Sequence, residues 1–214
     1  GRTQAAGQTA LGKAMELSFS RVTGTDPIAG STEKVFKTEK DRAEASIAAF
    51  QAVADKFGGD IGEKAKYFVS VNRLSVDREA AIAELEAMSG TNDEVGKMAR
   101  FALAQAYEND GKLDLAAAKY SELAAMDDPI IAKDTVNFAL ASIYEKQDKK
   151  TEAADLYYAI AKAANDAKDA QGNPITMSAT AQEALEKLKA IDPERAKEIV
   201  PPAPESPFGS VPLG

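Results

Sequence analysis

Cysteine, histidine and tryptophan are all missing from the 214 residues. Without cysteine there is no disulfide and no thiolate nucleophile. Without histidine, the side chain that most often moves protons near neutral pH is gone, and ordinary zinc sites go with it. A helical chain of this size needs no disulfide staples, so the lack of cysteine suits cytosol and periplasm alike. No run of eighteen apolar residues occurs, so no segment is long enough to cross a bilayer as a helix. Basic residues are also in the minority: 26 Lys and Arg stand against 34 Asp and Glu, a formal net charge of -8. That field repels phosphate backbones and anionic lipid headgroups, so nucleic acid is not an expected partner.

The residues that remain do not form a catalytic or metal-binding set. Asn165, Asp166, Asp169, Gln171, Gly172 and Asn173 gather oxygen ligands, but they neither alternate at every second residue nor end on a glutamate, as a calcium loop requires. Gly58-Gly59-Asp60-Ile61-Gly62 has no strand before it and no Gly-Lys-Ser/Thr after it, which makes it a helix terminus rather than a phosphate loop. Asp127 and Asp128 are adjacent on a turn and so cannot face one another across a substrate. A hydrolase working with carboxylates alone would need a deep polar cleft that no segment predicts. The expectation is therefore a chain with no catalytic residues, no metal and no cofactor.

Hydrophobic residues make up 44% of the chain and aromatic residues only 7%, so alanine carries much of the apolar share and lets helices approach closely. The spacing of apolar residues predicts helices over about Gln4–Phe19, Glu39–Phe57, Glu63–Leu74, Arg78–Met88, Glu94–Asn109, Leu113–Met126, Ile131–Lys146, Lys150–Ala167 and Ser178–Ala190, with a short turn of helix over Pro193–Ile199. Between Arg21 and Lys37, Gly24-Thr25-Asp26-Pro27 and Ala29-Gly30-Ser31 break the pattern into an inserted loop. Gly58-Gly59 is expected to supply a left-handed C-cap to the second helix.

A shift of thirty-seven residues lays the chain on itself. Phe101-Ala102-Leu103-Ala104 falls on Phe138-Ala139-Leu140-Ala141, Tyr107-Glu108 on Tyr144-Glu145, Ala116-Ala117 on Ala153-Ala154, and Tyr120 on Tyr157. Two helices around a short polar turn, repeated, are the sequence signature of a solenoid. Weaker copies lie upstream, at Tyr67, Val69, Ser70, Ala81 and Leu85, and at Ser46, Phe50 and Val53.

These residues resemble the tetratricopeptide repeat family, whose pattern places a leucine beside a small residue, a tyrosine four later, and alanine and an aromatic in the second helix. Leu103, Ala104, Tyr107, Gly111, Ala116 and Tyr120 fill those slots in one copy, and Leu140, Ala141, Tyr144, Ala153 and Tyr157 in the next. The family's frequent tryptophan is replaced by Lys66, Arg100 and Asn137, and the period exceeds the usual thirty-four. The resemblance covers about Glu39 to Ala167. It implies an all-α fold, a right-handed α-solenoid of antiparallel helix hairpins, with residues 1–38 as a leading helix and loop, 39–190 as repeats with a capping helix, and 191–214 as a helical turn and proline-rich tail.

The order of these parts is similar to that of bacterial envelope proteins with tetratricopeptide domains, of the ancillary translocon-subunit type. Such proteins project their repeats into the periplasm from an N-terminal anchor. The chain starts at Gly1 rather than Met, which suits a processed chain or one that begins inside a longer precursor and leaves room for an upstream signal or anchor. The resemblance implies a scaffold that binds a protein or peptide in a concave groove lined by the first helix of each pair: Tyr67, Phe101, Gln105, Glu108, Phe138, Ser142 and Glu145. The same aromatics at helical spacing also suit packing between hairpins, and Glu108 and Glu145 suit a solvated face as well as a groove for basic or N-terminal groups. Pro201-Pro202-Ala203-Pro204 begins an extended tail in which Pro207, Phe208, Val211, Pro212 and Leu213 are expected to make an assembly contact, with the chain's own surface or a neighbouring subunit. Permanent docking in a larger complex is the alternative function.

Overall fold

The computed structural model describes residues 1–202. The expected assembly tail, Pro207, Phe208, Val211, Pro212 and Leu213, lies outside the described residues. Among the described residues ten α-helices dominate: α1 (Arg2–Ser18), α2 (Glu39–Lys56), α3 (Gly59–Arg73), α4 (Arg78–Met88), α5 (Glu94–Asn109), α6 (Leu113–Ala124), α7 (Lys133–Lys146), α8 (Lys150–Asp166), α9 (Ala179–Ile191) and α10 (Pro193–Ala196). The inserted loop after α1 contains a feature that its glycines and its one proline concealed. Two-residue strands β1 (Arg21–Val22) and β2 (Val35–Phe36) pair in parallel and close the loop.

Contacts divide the chain into two compact units, Gly1–Lys112 and Leu113 onward. In the first, α1 packs on α2 and α3, α2 on α3, α3 on α4 and α5, and α4 on α5. Its core joins Ala14 of α1 to Phe50 and Val53 of α2 and to Ala65 and Val69 of α3, and the ring of Phe50 stacks on Phe68 at 4.9 Å. In the second, α6 packs on α7, α7 on α8 and α9, α8 on α9, and α9 on α10. There Ala141, Ala153, Tyr157, Ala161, Ala184 and Leu188 share one buried cluster with Ile199. Alanines at these crossings leave no long side chain to hold the helices apart, so the backbones draw together.

Helix ends follow local chemistry. Thr38, Asp77, Asp93 and Ser178 each accept a backbone N–H in the first turn of α2, α4, α5 and α9, satisfying donors that the helix leaves free. The expected left-handed C-cap on α2 is a correction. Gly59 is left-handed at φ +62°, but it opens α3 behind the N-cap Gly58. Helix α2 instead ends on Phe57, in extended conformation at φ -119°. The phenyl ring has a core to enter, so the chain stays extended long enough to bury it, and the glycines then turn it into the next helix.

Two local features recur at repeat spacing. Helix α5 ends with Gly111 at φ +72° and α7 with Asp148 at φ +59°. The Lys112 N–H donates to the Tyr107 carbonyl at 2.8 Å and the Gly111 N–H to Glu108 at 3.0 Å; thirty-seven residues on, Lys149 donates to Tyr144 at 2.8 Å and Asp148 to Glu145 at 3.0 Å. Both are complete Schellman endings. The second recurrence falls in the first turns of α3 and α5. A Cβ on Gly62 would lie 2.4 Å from the Phe57 carbonyl oxygen, and one on Gly96 would lie 2.1 Å from that of Thr91. These two glycines are thirty-four residues apart.

Candidate functional site

The expected binding residues occupy equivalent stripes. On α5, Phe101, Gln105 and Glu108 sit at successive helical turns, and on α7 Phe138, Ser142 and Glu145 do the same. Tyr67 lies on α3, which packs on α5 in the first unit. Gln105 is exposed, while Tyr67, Phe101, Glu108, Phe138, Ser142 and Glu145 are half-buried. The Tyr67 ring meets Phe68 edge-on at 5.1 Å, and burial pushes its phenol up to about 12.

In the second unit two stripe residues converge on one partner. The Phe138 ring packs edge-to-face on Tyr157 with centroids 5.4 Å apart, and the Tyr157 hydroxyl donates to Glu145 Oε1 at 2.5 Å. Tyr157 is fully buried, and desolvation, reinforced by Glu145 and then Glu183, raises its pKa far above the ordinary phenol value. Lys187 Nζ of α9 stands 3.9 Å from the same Glu145 oxygen. The carboxylate thus joins α7, α8 and α9, and its side chain keeps 27% exposure. Sequence reasoning identified Glu145 and Tyr157 separately but not their bond, because they lie 12 residues apart on two helices and only the hairpin geometry brings them together.

The first unit has its own half-buried polar set. Glu84 of α4 accepts from the Ser70 hydroxyl at 2.6 Å and pairs with Arg73 of α3. The Tyr107 hydroxyl donates to Glu86; burial and that carboxylate push the phenol up to about 12. These acids were not among the predicted residues. The signal that pointed to Glu84 was Ser70, a polar residue in the small-residue slot of α3, which needs a partner when buried. A cavity of about 440 Å³ beside them is lined by Glu63, Glu84, Met88, Thr91, Asp93 and Val95. All three of these acids are already engaged: Glu84 as above, Glu63 with Lys66 at 3.0 Å, and Asp93, whose carboxylate the Thr91 hydroxyl and the Gly96 N–H hold below its usual range.

The polar segment after α8 is a turn. The Asp169 carboxylate accepts the Gln171 and Asn173 N–H groups, each at 2.9 Å, and Gly172 takes φ +83°. These bonds, led by that of Asn173, hold Asp169 below the usual carboxylate range. Asp128 likewise accepts the Ile130 N–H at 3.1 Å. Among the described residues no helix is long and apolar enough to cross a membrane. No family model matches the chain, and no curated protein or solved structure matches it either.

Proposed function

We propose that the chain is a tetratricopeptide-like repeat protein whose odd-numbered helices hold a partner protein or peptide, as a non-catalytic scaffold of the bacterial cell envelope. The observation that carries the reading is the pair of Schellman endings at Gly111 and Asp148, matched bond for bond at thirty-seven residues. Each stands behind a stripe of the form Phe, Gln or Ser, Glu. A segment that reproduces its backbone turn together with its side-chain stripe is the local unit from which solenoids are built. The glycine contacts at Gly62 and Gly96 extend the repeat to α3 at the family's own spacing of thirty-four. Within each unit, successive helices pack in order and odd helices touch the next odd helix, α1 on α3, α3 on α5 and α7 on α9, which is the neighbour pattern expected of stacked helix hairpins. The partner favoured by such a stripe is an extended or helical segment with apolar side chains for the half-buried rings.

The test is affinity purification from the native source, with partners identified by mass, using wild type, the Phe101→Ala/Phe138→Ala pair, and a Gln105→Arg/Ser142→Arg pair that leaves the core untouched. A partner enriched by wild type and lost from both pairs, with helical content retained by circular dichroism, is the expected result. Equal enrichment by all three proteins rejects the surface.

A further inference from the structure

In the second unit a cavity of about 970 Å³ runs along α9 from Ala179 in its first turn to Lys189 in its last. Its other walls are fixed by the fold. The loop that supplies Ile175 and Met177 is tied down where the Ile175 N–H donates to the Ala167 carbonyl at 3.1 Å and Lys168 bridges Pro174. Pro201 and Pro202 line the far side, just beyond Ile199, which is buried in the core of the unit. A preformed cavity of this volume is the size of a small-molecule site.

The polar groups of the lining favour a ligand that donates hydrogen bonds. The Gln182 amide nitrogen donates to the Met177 carbonyl at 3.0 Å and that of Asn173 to Asp169 at 3.3 Å, which leaves both amide oxygens as acceptors. Lys189 pairs with Glu186 at 2.7 Å. Glu183 is different: Lys187, one turn on, lies 3.9 Å from Glu145 instead, and among the described residues Glu183 makes no ion pair or hydrogen bond. A carboxylate without a counter-ion therefore shares the cavity with the apolar side chains of Ile175, Met177 and Leu185. Ile175 is 49% exposed, a large apolar surface without cover.

We infer that this cavity binds a small amphipathic organic cation, an ammonium or guanidinium group on an apolar body, with the charge paired to Glu183 and the body packed against Ile175, Met177 and Leu185. An anion would face the carboxylates of Glu183 and Glu186. An uncharged apolar molecule would strip water from Glu183 and supply no hydrogen bond in return. The net charge of -8 also raises the local concentration of cations around the protein. None of these residues belongs to the stripes on α5 and α7, so the inference is independent of the partner-binding surface.

The protein has five methionines. Met177 lines this cavity, whereas Met88 lines the smaller one in the first unit, so methyl NMR of the full-length protein labelled at methionine reads the site with an internal control, Met177→Leu assigning the signal. Near neutral pH, phenethylamine should shift the Met177 methyl saturably and leave Met88 in place. Phenethyl alcohol should bind several-fold more weakly, and phenylacetate should not bind. Glu183→Gln, at an exposed position, should bring the amine to the affinity of the alcohol without changing the alcohol, and Ile175→Asn should weaken both, with circular dichroism unaltered in each variant. Equal affinity for amine and alcohol overturns the inference, as does an amine affinity that ignores Glu183→Gln, or the lack of a saturable Met177 shift. A blocked lysine-phenylalanine peptide that shifts Met177 where phenethylamine does not assigns the cavity to a partner chain and overturns it too.

Discussion

Tyr157 concentrates several of the forces acting on single residues. Its ring fills a core position against Phe138, while its hydroxyl, with no water to bond, needs the Glu145 carboxylate. A hydrogen bond to a charged acceptor contributes about 2 kcal/mol, so Tyr157→Phe should lower the urea-unfolding free energy by about that amount with little change in m-value. The buried phenols also set an alkaline limit. Tyr67 and Tyr107 are raised from 10.0 to about 12 in the fold, so below pH 10 both states are protonated and the fold keeps its full stability. Between about pH 10 and 12 the unfolded chain loses protons that the native state retains, and stability falls as pH rises. Urea titrations from pH 9 to 12 should show this decline, and Tyr107→Phe should make it shallower.

At the scale of an element, the two Schellman endings form a natural comparison. Gly111 adopts its left-handed conformation without a Cβ penalty, whereas Asp148 takes the same conformation with one. The left-handed region costs an L-residue about 1 kcal/mol. Asp148→Gly should therefore stabilise the protein by up to about 1 kcal/mol, and Gly111→Ala should destabilise it by about the same, both read from thermal melts. The first turn of α5 is less forgiving. A Cβ at residue 96 meets a backbone carbonyl rather than a flexible side-chain end, so Gly96→Ala should cost about 2 kcal/mol or more through forced backbone movement. The element boundaries were largely readable beforehand: α4 and α5 begin and end where the apolar period places them, and Asp77 and Asp93 cap them. The misplaced cap at Gly58-Gly59 shows the limit of such reasoning. A glycine pair announces a turn, but tertiary burial of Phe57 decided which of the two helices received it.

Across the whole chain, an excess of eight negative charges makes self-repulsion the main long-range electrostatic term. The ion pairs at the surface, such as Arg21–Glu33 with side chains more than half exposed, each contribute little. Added salt screens the repulsion over a distance of about 10 Å at 0.1 M. Raising sodium chloride from about 0.05 to about 0.5 M should therefore raise Tm by a few degrees; a lower Tm would show that local ion pairs outweigh the net charge.

The helices were determined by the sequence alone, because a period of 3.6 and a side-chain cap act within a few residues and need no distant partner. The same holds for the recurring slots, where Ala104, Ala116, Ala141 and Ala153 are all fully buried. What each stripe residue does was decided only in three dimensions. Glu145 is held by Tyr157 and approached by Lys187, residues twelve and forty-two positions away, and no spacing rule announces either contact. The strand pair β1–β2 and the cavity along α9 are likewise contacts between segments that carry no common period. Short-range order is written in spacing, whereas hydrogen bonds and cavities between distant segments depend on how the helices come to lie on one another.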